Sequence, residues 1–221
     1  MKRSSKPVVL VGGGGHAKVV IDALRSSGRR VLGVLDRAAG ASSLRVVGAT
    51  LLGGDSWLDA KRPSALEIAV GVGANPAVGP RRRIHERLRA RGFRVATVVA
   101  SSASVSPSAR LEEGVQILTA AIIHPDAVIG TGAVINTRAV VEHDAVVGAF
   151  AFVGPGAVLC GEVRLGAEAF VGAGAVVLPG VTIGAASVIG AGSVVLRDLP
   201  AGSRVAGNPA RSIGRSSLGR K

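Results

Sequence analysis

The chain has 221 residues, of which 48% are hydrophobic and 19% charged, and these proportions exclude a disordered chain. Only four Phe and one Trp are present, so the core must be built mainly from aliphatic side chains. The net charge of +13 is typical of proteins that bind nucleic acids or small anions. Because stacking on bases needs aromatic side chains, the composition favours a small anionic ligand such as a nucleotide or a coenzyme.

Cysteine content and hydropathy indicate the compartment. The single cysteine, Cys160, excludes an internal disulfide and a thiolate metal cluster, and it is typical of a reducing compartment. No apolar segment approaches the roughly 18 residues of a membrane span. The segment Val8–Val11, after a basic start, is too short for a signal peptide. We therefore expect a soluble cytoplasmic protein without a metal.

Residues 1–100 alternate between strand and helix patterns. Strands are predicted at four apolar segments: Pro7–Val11, Val31–Leu35, Glu67–Val72 and Phe93–Val99. A first helix follows the first strand, with Ala17, Val20, Ile21 and Leu24 at helical spacing. A second helix is predicted around Arg81–Arg91, with its arginines and His85 in solvent. This alternation predicts a parallel α/β domain of the half-Rossmann type, joined to the rest of the chain through the Ser-rich segment 101–108.

A glycine-rich loop connects the first strand to the first helix. Gly12-x-Gly14-x-x-Ala17 follows the strand directly, and Asp36 stands at the end of the next strand. This arrangement is typical of dinucleotide-binding domains, in which glycine amides meet phosphate at a helix N-terminus. An NAD-binding oxidoreductase or regulator is therefore one alternative, and a turn that only reverses the chain is another. Since a hundred residues provide about one mononucleotide-binding half, a pyrophosphate with one nucleoside and one sugar fits better.

The second half of the chain, residues 101–221, repeats every six residues. Sixteen consecutive repeat positions are branched aliphatic: Val105, Leu111, Ile117, Ile123, Ile129, Ile135, Val141, Val147, Val153, Leu159, Leu165, Val171, Val177, Ile183, Ile189 and Val195. A period of six fits neither an α-helix nor an alternating strand. Each unit can supply one short strand and one corner, and three units make one coil that stacks about 4.8 Å from the next. The pattern predicts a parallel β-helix, with a purely structural solenoid as the alternative.

The loop Gly14-Gly15-His16, Asp36, the hexads and the segment Asn136–Asp144 together resemble one family. It is the family of hexapeptide-repeat sialic acid O-acetyltransferases and UDP-4-amino-sugar N-acetyltransferases of the bacillosamine and perosamine type. The resemblance implies a left-handed β-helix, acetyl-CoA as co-substrate and N-acetylation of a nucleotide-linked amino sugar in surface-glycan biosynthesis. It also implies a homotrimer with acetyl-CoA between neighbouring subunits. O-acetylation of sialic acid or another sugar is the alternative within the family.

His143 is the candidate general base, because a neutral imidazole can accept a proton from an amine or a hydroxyl at neutral pH. The resemblance assigns the orienting carboxylate to Asp144. Gly161 lies three hexads after His143 and should stack one coil above it, where its amide could hold the oxyanion. An acyl intermediate on Cys160 is conceivable, but direct attack on the thioester is favoured. His124 is interpreted as structural, and a γ-type carbonic anhydrase would need a third histidine in the repeats.

The binding residues follow from the loop pattern and the resemblance. For the nucleotide sugar we predict Gly13, Gly14, Gly15, His16, Asp36, Arg37, Gly71, Gly73 and Asn136. For acetyl-CoA we predict Phe152, Gly161, Ala173, Ala191, Gly207, Asn208, Pro209 and Arg211. Phe152 is a departure from the family, because related enzymes often carry a second histidine at this position, midway between the base and the next coil.

Overall fold

The computed structural model describes residues 6–36, 47–74 and 79–214. Its first part is a parallel sheet of five strands in the order β3-β2-β1-β4-β5, with two α-helices. The elements are β1 (Val8–Val11), α1 (Gly15–Ser26), β2 (Val31–Leu35), β3 (Leu51–Gly53), β4 (Glu67–Val70), α2 (Pro80–Ala90) and β5 (Arg94–Val95). Two short 3₁₀ helices, Asp55–Ala60 and Pro63–Ala65, lie between β3 and β4. The four predicted strands are present, although the last one is divided.

That division marks the passage into the second part. Val95 pairs with Ile68 of β4, whereas Val98 pairs with Gln116 of the coils, so the chain changes partners at Ala96 and Thr97. The Ser-rich segment 101–108 belongs to the first coil, since Ser104–Val105 is one of its strands. The sequence pattern missed β3, a three-residue edge strand whose side chains are mostly exposed.

The second part is the predicted left-handed parallel β-helix. All sixteen aliphatic repeat positions are the second residue of a two-residue strand. These short strands are β6 (Val98–Val99), β7 (Ser104–Val105), β8 (Arg110–Leu111), β9 (Gln116–Ile117), β10 (Ile122–Ile123), β11 (Val128–Ile129), β12 (Val134–Ile135), β13 (Val140–Val141), β14 (Val146–Val147), β15 (Phe152–Val153), β16 (Val158–Leu159), β17 (Arg164–Leu165), β18 (Phe170–Val171), β19 (Val176–Val177), β20 (Thr182–Ile183), β21 (Val188–Ile189) and β22 (Val194–Val195). The end is formed by β23 (Arg204–Ala206) and β24 (Arg211–Ser212).

Three sheets form the three faces of the β-helix. We call them face I (β7, β10, β13, β16, β19, β22), face II (β8, β11, β14, β17, β20) and face III (β6, β9, β12, β15, β18, β21, β23, β24). Successive strands of a face pair in parallel, one coil apart, as Val140 pairs with Val158, and the final strand β24 pairs antiparallel with β23. The aliphatic residues and the corner alanines fill the interior, and most are fully buried. Glycine is required where coils approach closely: a Cβ on Gly148 would lie 2.5 Å from the Ala167 amide nitrogen of the next coil.

The α/β part packs against face III. One apolar cluster joins α1 residues such as Val20 and Leu24 to Val98, Leu118 and Val134 of the β-helix. Helix α1 therefore lies between the parallel sheet and the coils. This contact fixes the glycine loop, which precedes α1, relative to face III.

Helix α2 corrects one prediction. His85 is buried rather than exposed to solvent, with its ring 5.3 Å from the Phe150 ring in an edge-to-face contact. Burial lowers the pKa of His85. Arg81 is also buried and donates a hydrogen bond of 2.6 Å to the Val72 carbonyl. The reason is that this side of α2 packs against the coil corners at Gly114 and Phe150, which the helical pattern alone does not reveal.

Several exposed arginines of α2 form ion pairs that reduce the local positive charge. Arg87 pairs with Asp55 at 2.6 Å, and Arg82 reaches Glu168 of the β-helix at 3.0 Å.

No helix within the described ranges is long and apolar enough to cross a membrane. Those ranges also contain no group of three acidic, His or Cys side chains placed to hold a metal ion.

Candidate active site

His143 lies at the corner between faces I and II, in the corner segment after β13. Its Nδ1 is 2.9 Å from Asp144 Oδ2. Because a carboxylate only accepts hydrogen bonds, Nδ1 carries the proton and the neutral ring keeps a lone pair on Nε2. The Asp144 hydrogen bond raises the pKa of His143, and the charges of Asp144, Glu142 and Glu162 act in the same direction. Asp144 thus orients the exposed imidazole of His143, and the role of this ring as a general base stays a prediction.

Asp144 adopts the left-handed backbone conformation, with φ of 60°. Asp126 and Glu162, one coil away on either side, have φ of 60° and 61° at the same corner position. Aspartate is among the residues that tolerate this region better than most. The repeat geometry of the corner therefore sets the backbone that places Asp144 next to His143.

Gly161 stacks on His143 as the coil length predicts. A Cβ on Gly161 would lie 2.7 Å from both Cε1 and Nε2 of the imidazole. Among the described residues, the amides on either side have acceptors, Val177 for Cys160 and His143 for Glu162, and the Gly161 amide has none. Only glycine leaves room for the ring at this position.

His124 and Cys160 belong to the same corner. His124 Nε2 lies 3.6 Å from Glu142 Oε1, one coil further along. Burial is the first cause that raises the pKa of the Cys160 thiol, and the Glu142 charge is the second. A raised pKa keeps the thiol protonated, which disfavours an acyl-cysteine route because the thiolate is the nucleophile.

The glycine loop occupies the point at which the strand order reverses, between β1 and β4. In parallel sheets this switch point, at the carboxyl ends of the strands, is where ligands bind. The ends of the two strands touch: a Cβ on Gly71 would lie 2.3 Å from the Gly12 carbonyl oxygen. Gly14 and Gly15 are exposed, with open space around them, and α1 begins there without a side-chain cap. Its first amides are therefore placed to meet an anion.

Asp36 holds the loop through its carboxylate. Asp36 Oδ2 accepts a hydrogen bond of 2.6 Å from the Gly13 amide. The carboxylate thus fixes the shape of the loop. Arg37, which we predicted as a neighbouring binding residue, lies outside the described residues.

Gln116 is a residue of this site that the sequence analysis did not identify. Its side-chain oxygen lies 2.8 Å from His16 Nε2, and its amide nitrogen donates a 2.8 Å hydrogen bond to the Val70 carbonyl. Burial lowers the pKa of His16 to about 4, and the positive charge of Arg81 contributes. The one available signal was a polar residue at an outward position of face III, where the next coils carry Val134, Phe152 and Phe170.

Phe152 lies on face III and not beside His143. Its ring stacks on that of Phe170, with centroids 4.9 Å apart and an angle of 9°. The two rings line a small cavity together with Gly73 and Arg82. Phe152 thus extends the apolar surface next to the end of β4.

Asn136 lies at the corner between faces III and I, where its Oδ1 accepts a hydrogen bond of 2.7 Å from the Thr137 amide.

The predicted acetyl-CoA residues occupy later coils. Ala173 and Ala191 are exposed at the corner between faces III and I, one coil apart. Gly207, Asn208 and Pro209 are exposed in the turn after β23. Arg211 lines a cavity of about 460 Å³ at the C-terminal end of the β-helix. Arg197 and Arg204, which the sequence analysis did not name, line the same cavity.

Within one chain the predicted catalytic residues lie apart from the predicted glycine loop. His143, Asp144 and Gly161 share the corner between faces I and II, whereas the glycine loop and Phe152 are associated with face III. In a triangular cross-section, the corner between two faces lies opposite the third. The candidate base and the candidate sugar-nucleotide cradle are therefore on opposite sides of the same β-helix.

Comparison with known proteins agrees with this architecture. The family profile "PglD N-terminal domain" matches residues 7–88, and "Bacterial transferase hexapeptide (six repeats)" matches residues 162–197. One similar structure is a mutant of GDP-perosamine N-acetyltransferase from Caulobacter crescentus, crystallised with CoA and GDP-perosamine. Its sequence is 40% identical to this chain, the match covers 97% of this chain and 100% of that chain, and the TM-score is 0.85. No curated protein sequence gave a match.

Two further structures are similar. The acetyltransferase domain of PglB from Neisseria gonorrhoeae, in complex with acetyl coenzyme A, is 34% identical, with 95% of this chain and 100% of that chain covered and a TM-score of 0.88. WeeI from Acinetobacter baumannii shares the fold at 23% identity, with coverage of 94% and 100% and a TM-score of 0.75. The chain therefore belongs to the family of hexapeptide-repeat sugar acetyltransferases that carry a PglD-type N-terminal domain.

Proposed function

We propose that this protein transfers the acetyl group of acetyl-CoA to the amine of a nucleotide-linked amino sugar, in the cytoplasm, for surface-glycan biosynthesis. The observation that carries the proposal is the His143 imidazole, held by Asp144 and lying over Gly161. Similarity to an N-acetyltransferase crystallised with CoA and GDP-perosamine, across 97% of the chain, supports the two substrates. The single cysteine supports a reducing compartment.

The proposed reaction is a direct attack on the thioester. The amine nitrogen forms a bond to the acetyl carbonyl carbon, and His143 Nε2 accepts the proton that the nitrogen loses. The Gly161 amide stabilises the oxyanion of the tetrahedral intermediate. The carbon–sulfur bond then breaks, and the proton on Nε2 passes to the departing sulfur. The products are the N-acetylated sugar nucleotide and CoA.

The glycine loop is the proposed cradle for the pyrophosphate. The exposed amides at Gly14 and Gly15 begin α1, so phosphate oxygens would meet both hydrogen-bond donors and the positive end of the helix. Asp36 keeps Gly13 in place through their hydrogen bond. The sugar would extend from this loop towards the surface that Gly73 and Phe152 line.

Acetyl-CoA is proposed to run along the coils to the C-terminal end. Its extended arm would lie at the corner that carries Ala173 and Ala191, near backbone groups. The cavity lined by Arg197, Arg204 and Arg211 would take the phosphates of the nucleotide end, as charge-assisted donors suit them.

We further propose a homotrimer in which each active site is shared. The outward residues of face I form a column of aliphatic side chains: Ile122, Val140, Val158, Val176 and Val194. Such a column on a free surface is unfavourable, and closed symmetry would bury it. Because the catalytic corner lies opposite face III, contact with a neighbour is also what would bring His143 to a bound sugar.

The test is a transfer assay with acetyl-CoA and a panel of UDP-, GDP- and dTDP-linked amino sugars, with CoA thiol release and product mass as readouts. Sialic acid and nucleotide sugars with a hydroxyl in place of the amine form the comparison set. We expect thiol release only with an amino sugar, and a higher melting temperature with acetyl-CoA but not with NAD. Release with hydroxyl acceptors alone would establish O-acetylation, and stabilisation by NAD alone would contradict the proposal.

A further inference from the structure

A buried amide connects the glycine loop to the β-helix. Gln116 is 1% exposed and lies on β9 of face III, whereas its hydrogen-bond partners are His16 of α1 and Val70 of β4. His16 and Gln116 are far apart in sequence and belong to different parts of the chain. This side chain is thus a polar link from the coils to two elements at the switch point, where β4 ends and α1 begins.

The two hydrogen bonds determine where the His16 proton lies. The Val70 carbonyl can only accept, so the NH₂ group of Gln116 must face it, and the Gln116 oxygen must face His16. That oxygen only accepts, so His16 Nε2 must carry a proton. In a neutral ring the lone pair is then on Nδ1.

The surroundings keep the ring neutral. Burial favours the uncharged form, and Arg81 is the charged group that faces His16 from α2. Arg81 is itself held by the Val72 carbonyl, one residue before Gly73, on which the His16 side chain packs. Neither β4 nor β9 places a carboxylate against the His16 ring. The residue that contacts His16 from the β4 side is Gly73, just after the strand, and the residue that contacts it from β9 is Gln116.

We infer that Gln116 is a positioning residue that holds His16 as the neutral Nε2–H tautomer, so that Nδ1 accepts a hydrogen bond from the nucleotide sugar at the glycine loop. The inference rests on the proposed function for the identity of the ligand. A hydroxyl or amine of the sugar nucleotide is a donor that suits this lone pair. An imidazolium, or the opposite tautomer, would present a proton to the same donor and repel it.

The first experiment observes the tautomer directly in the full-length protein. Specifically ¹⁵N-labelled histidine gives distinct ring nitrogen shifts for the two neutral tautomers and for the charged ring, and His16→Asn identifies the His16 signals. We expect a neutral Nε2–H ring between about pH 5.5 and pH 8. A charged ring or a proton on Nδ1 at pH 7 would overturn the inference.

The second experiment changes Gln116. In Gln116→Met both polar contacts are lost, and we expect the KM for the nucleotide sugar to rise about tenfold while kcat and acetyl-CoA affinity change little. In Gln116→Glu the carboxylate should raise the pKa of His16, so that the KM rises further as the pH falls from 8 to 6. Unchanged tautomer and KM in both variants would exclude a positioning role.

Val134→Ala is the matched control. Val134 lies on face III one coil after Gln116 and is buried in the same contact with α1, but it has no polar side chain. It should lower stability without changing the His16 signals or the pH dependence of KM. If the wild-type protein shows no transferase activity, the proposed function is contradicted but the inference about Gln116 is not. The tautomer measurement, and calorimetry of UDP or GDP binding, still test that inference because they need no turnover.

Discussion

The imidazole of His143 lies over the Cα of Gly161, so that a Cβ on Gly161 would stand 2.7 Å from its Cε1 and Nε2. The ring of the proposed base thus occupies the space that a methyl group on the proposed oxyanion donor, Gly161, would need. Any side chain at residue 161 must displace the ring. The residue type at 161 therefore affects catalysis through His143 as well as through its own amide.

Gly161→Ala should lower kcat about 10²-fold, because a ring displaced by about an ångström loses its alignment with the amine. Acetylation rates and melting temperatures of Gly161→Ala, His143→Ala and the double variant form the measurement. If the effect passes through the ring, the double variant should be no slower than His143→Ala. Additive losses would instead assign the effect of the methyl group to the oxyanion amide alone.

His143→Ala should lower kcat by about 10²–10⁴-fold with little change in acetyl-CoA affinity, because the base acts only in the proton transfer. The Asp144 hydrogen bond raises the pKa of His143, so activity should fall on the acidic side as the ring becomes protonated. Asp144→Asn removes that effect and should move this limb of the kcat/KM profile to lower pH, at reduced maximal rate. A limb that stays in place would show that another group titrates.

Asp36→Ala should raise the KM for the nucleotide sugar about tenfold, since the Gly13 amide loses its acceptor and the loop loses its shape. Asp36→Asn keeps an acceptor oxygen and should lose less. Titration calorimetry should give unchanged acetyl-CoA binding for both variants. Equal nucleotide-sugar affinity in Asp36→Ala and wild type would remove Asp36 from the site.

Mixed trimers test whether sites are shared. His143→Ala and Asp36→Ala subunits, co-expressed in equal amounts with different tags, should assemble into active species although each parent is impaired. If the base and the glycine loop of a site come from neighbours, random assembly restores about a quarter of the sites. Activity no higher than the mean of the parents would place both groups of a site in one subunit.

The stability of the protein should decrease in acid partly through His16. Its pKa is about 4 in the folded state and 6.5 in an ordinary environment, so the unfolded chain binds the proton first as the pH falls. Between pH 7 and pH 4.5 the wild type should lose roughly 1–3 kcal/mol more stability than His16→Asn. His85, whose pKa burial also lowers, acts in the same direction in both proteins. Urea unfolding at the two pH values measures the difference, and parallel losses would contradict it.

Periodicity made much of the β-helix readable from the sequence. Contacts between coils recur at a separation of three hexads, so the inward aliphatic positions and the stacking of Gly161 on His143 follow from counting along the chain. The glycine loop and Asp36 were recognisable for a similar reason, because a strand, a turn and a helix N-terminus are local features. The positions of these residues relative to one another therefore follow from short stretches of the sequence.

Tertiary structure alone decided the contacts between the two parts of the chain. The His16–Gln116 hydrogen bond and the burial of Arg81 and His85 obey no period. Each depends on how the α/β part docks on face III, a match of two surfaces formed by residues far apart in sequence. The same docking places the glycine loop opposite the corner that carries His143, because the α/β part covers face III and that corner lies opposite it.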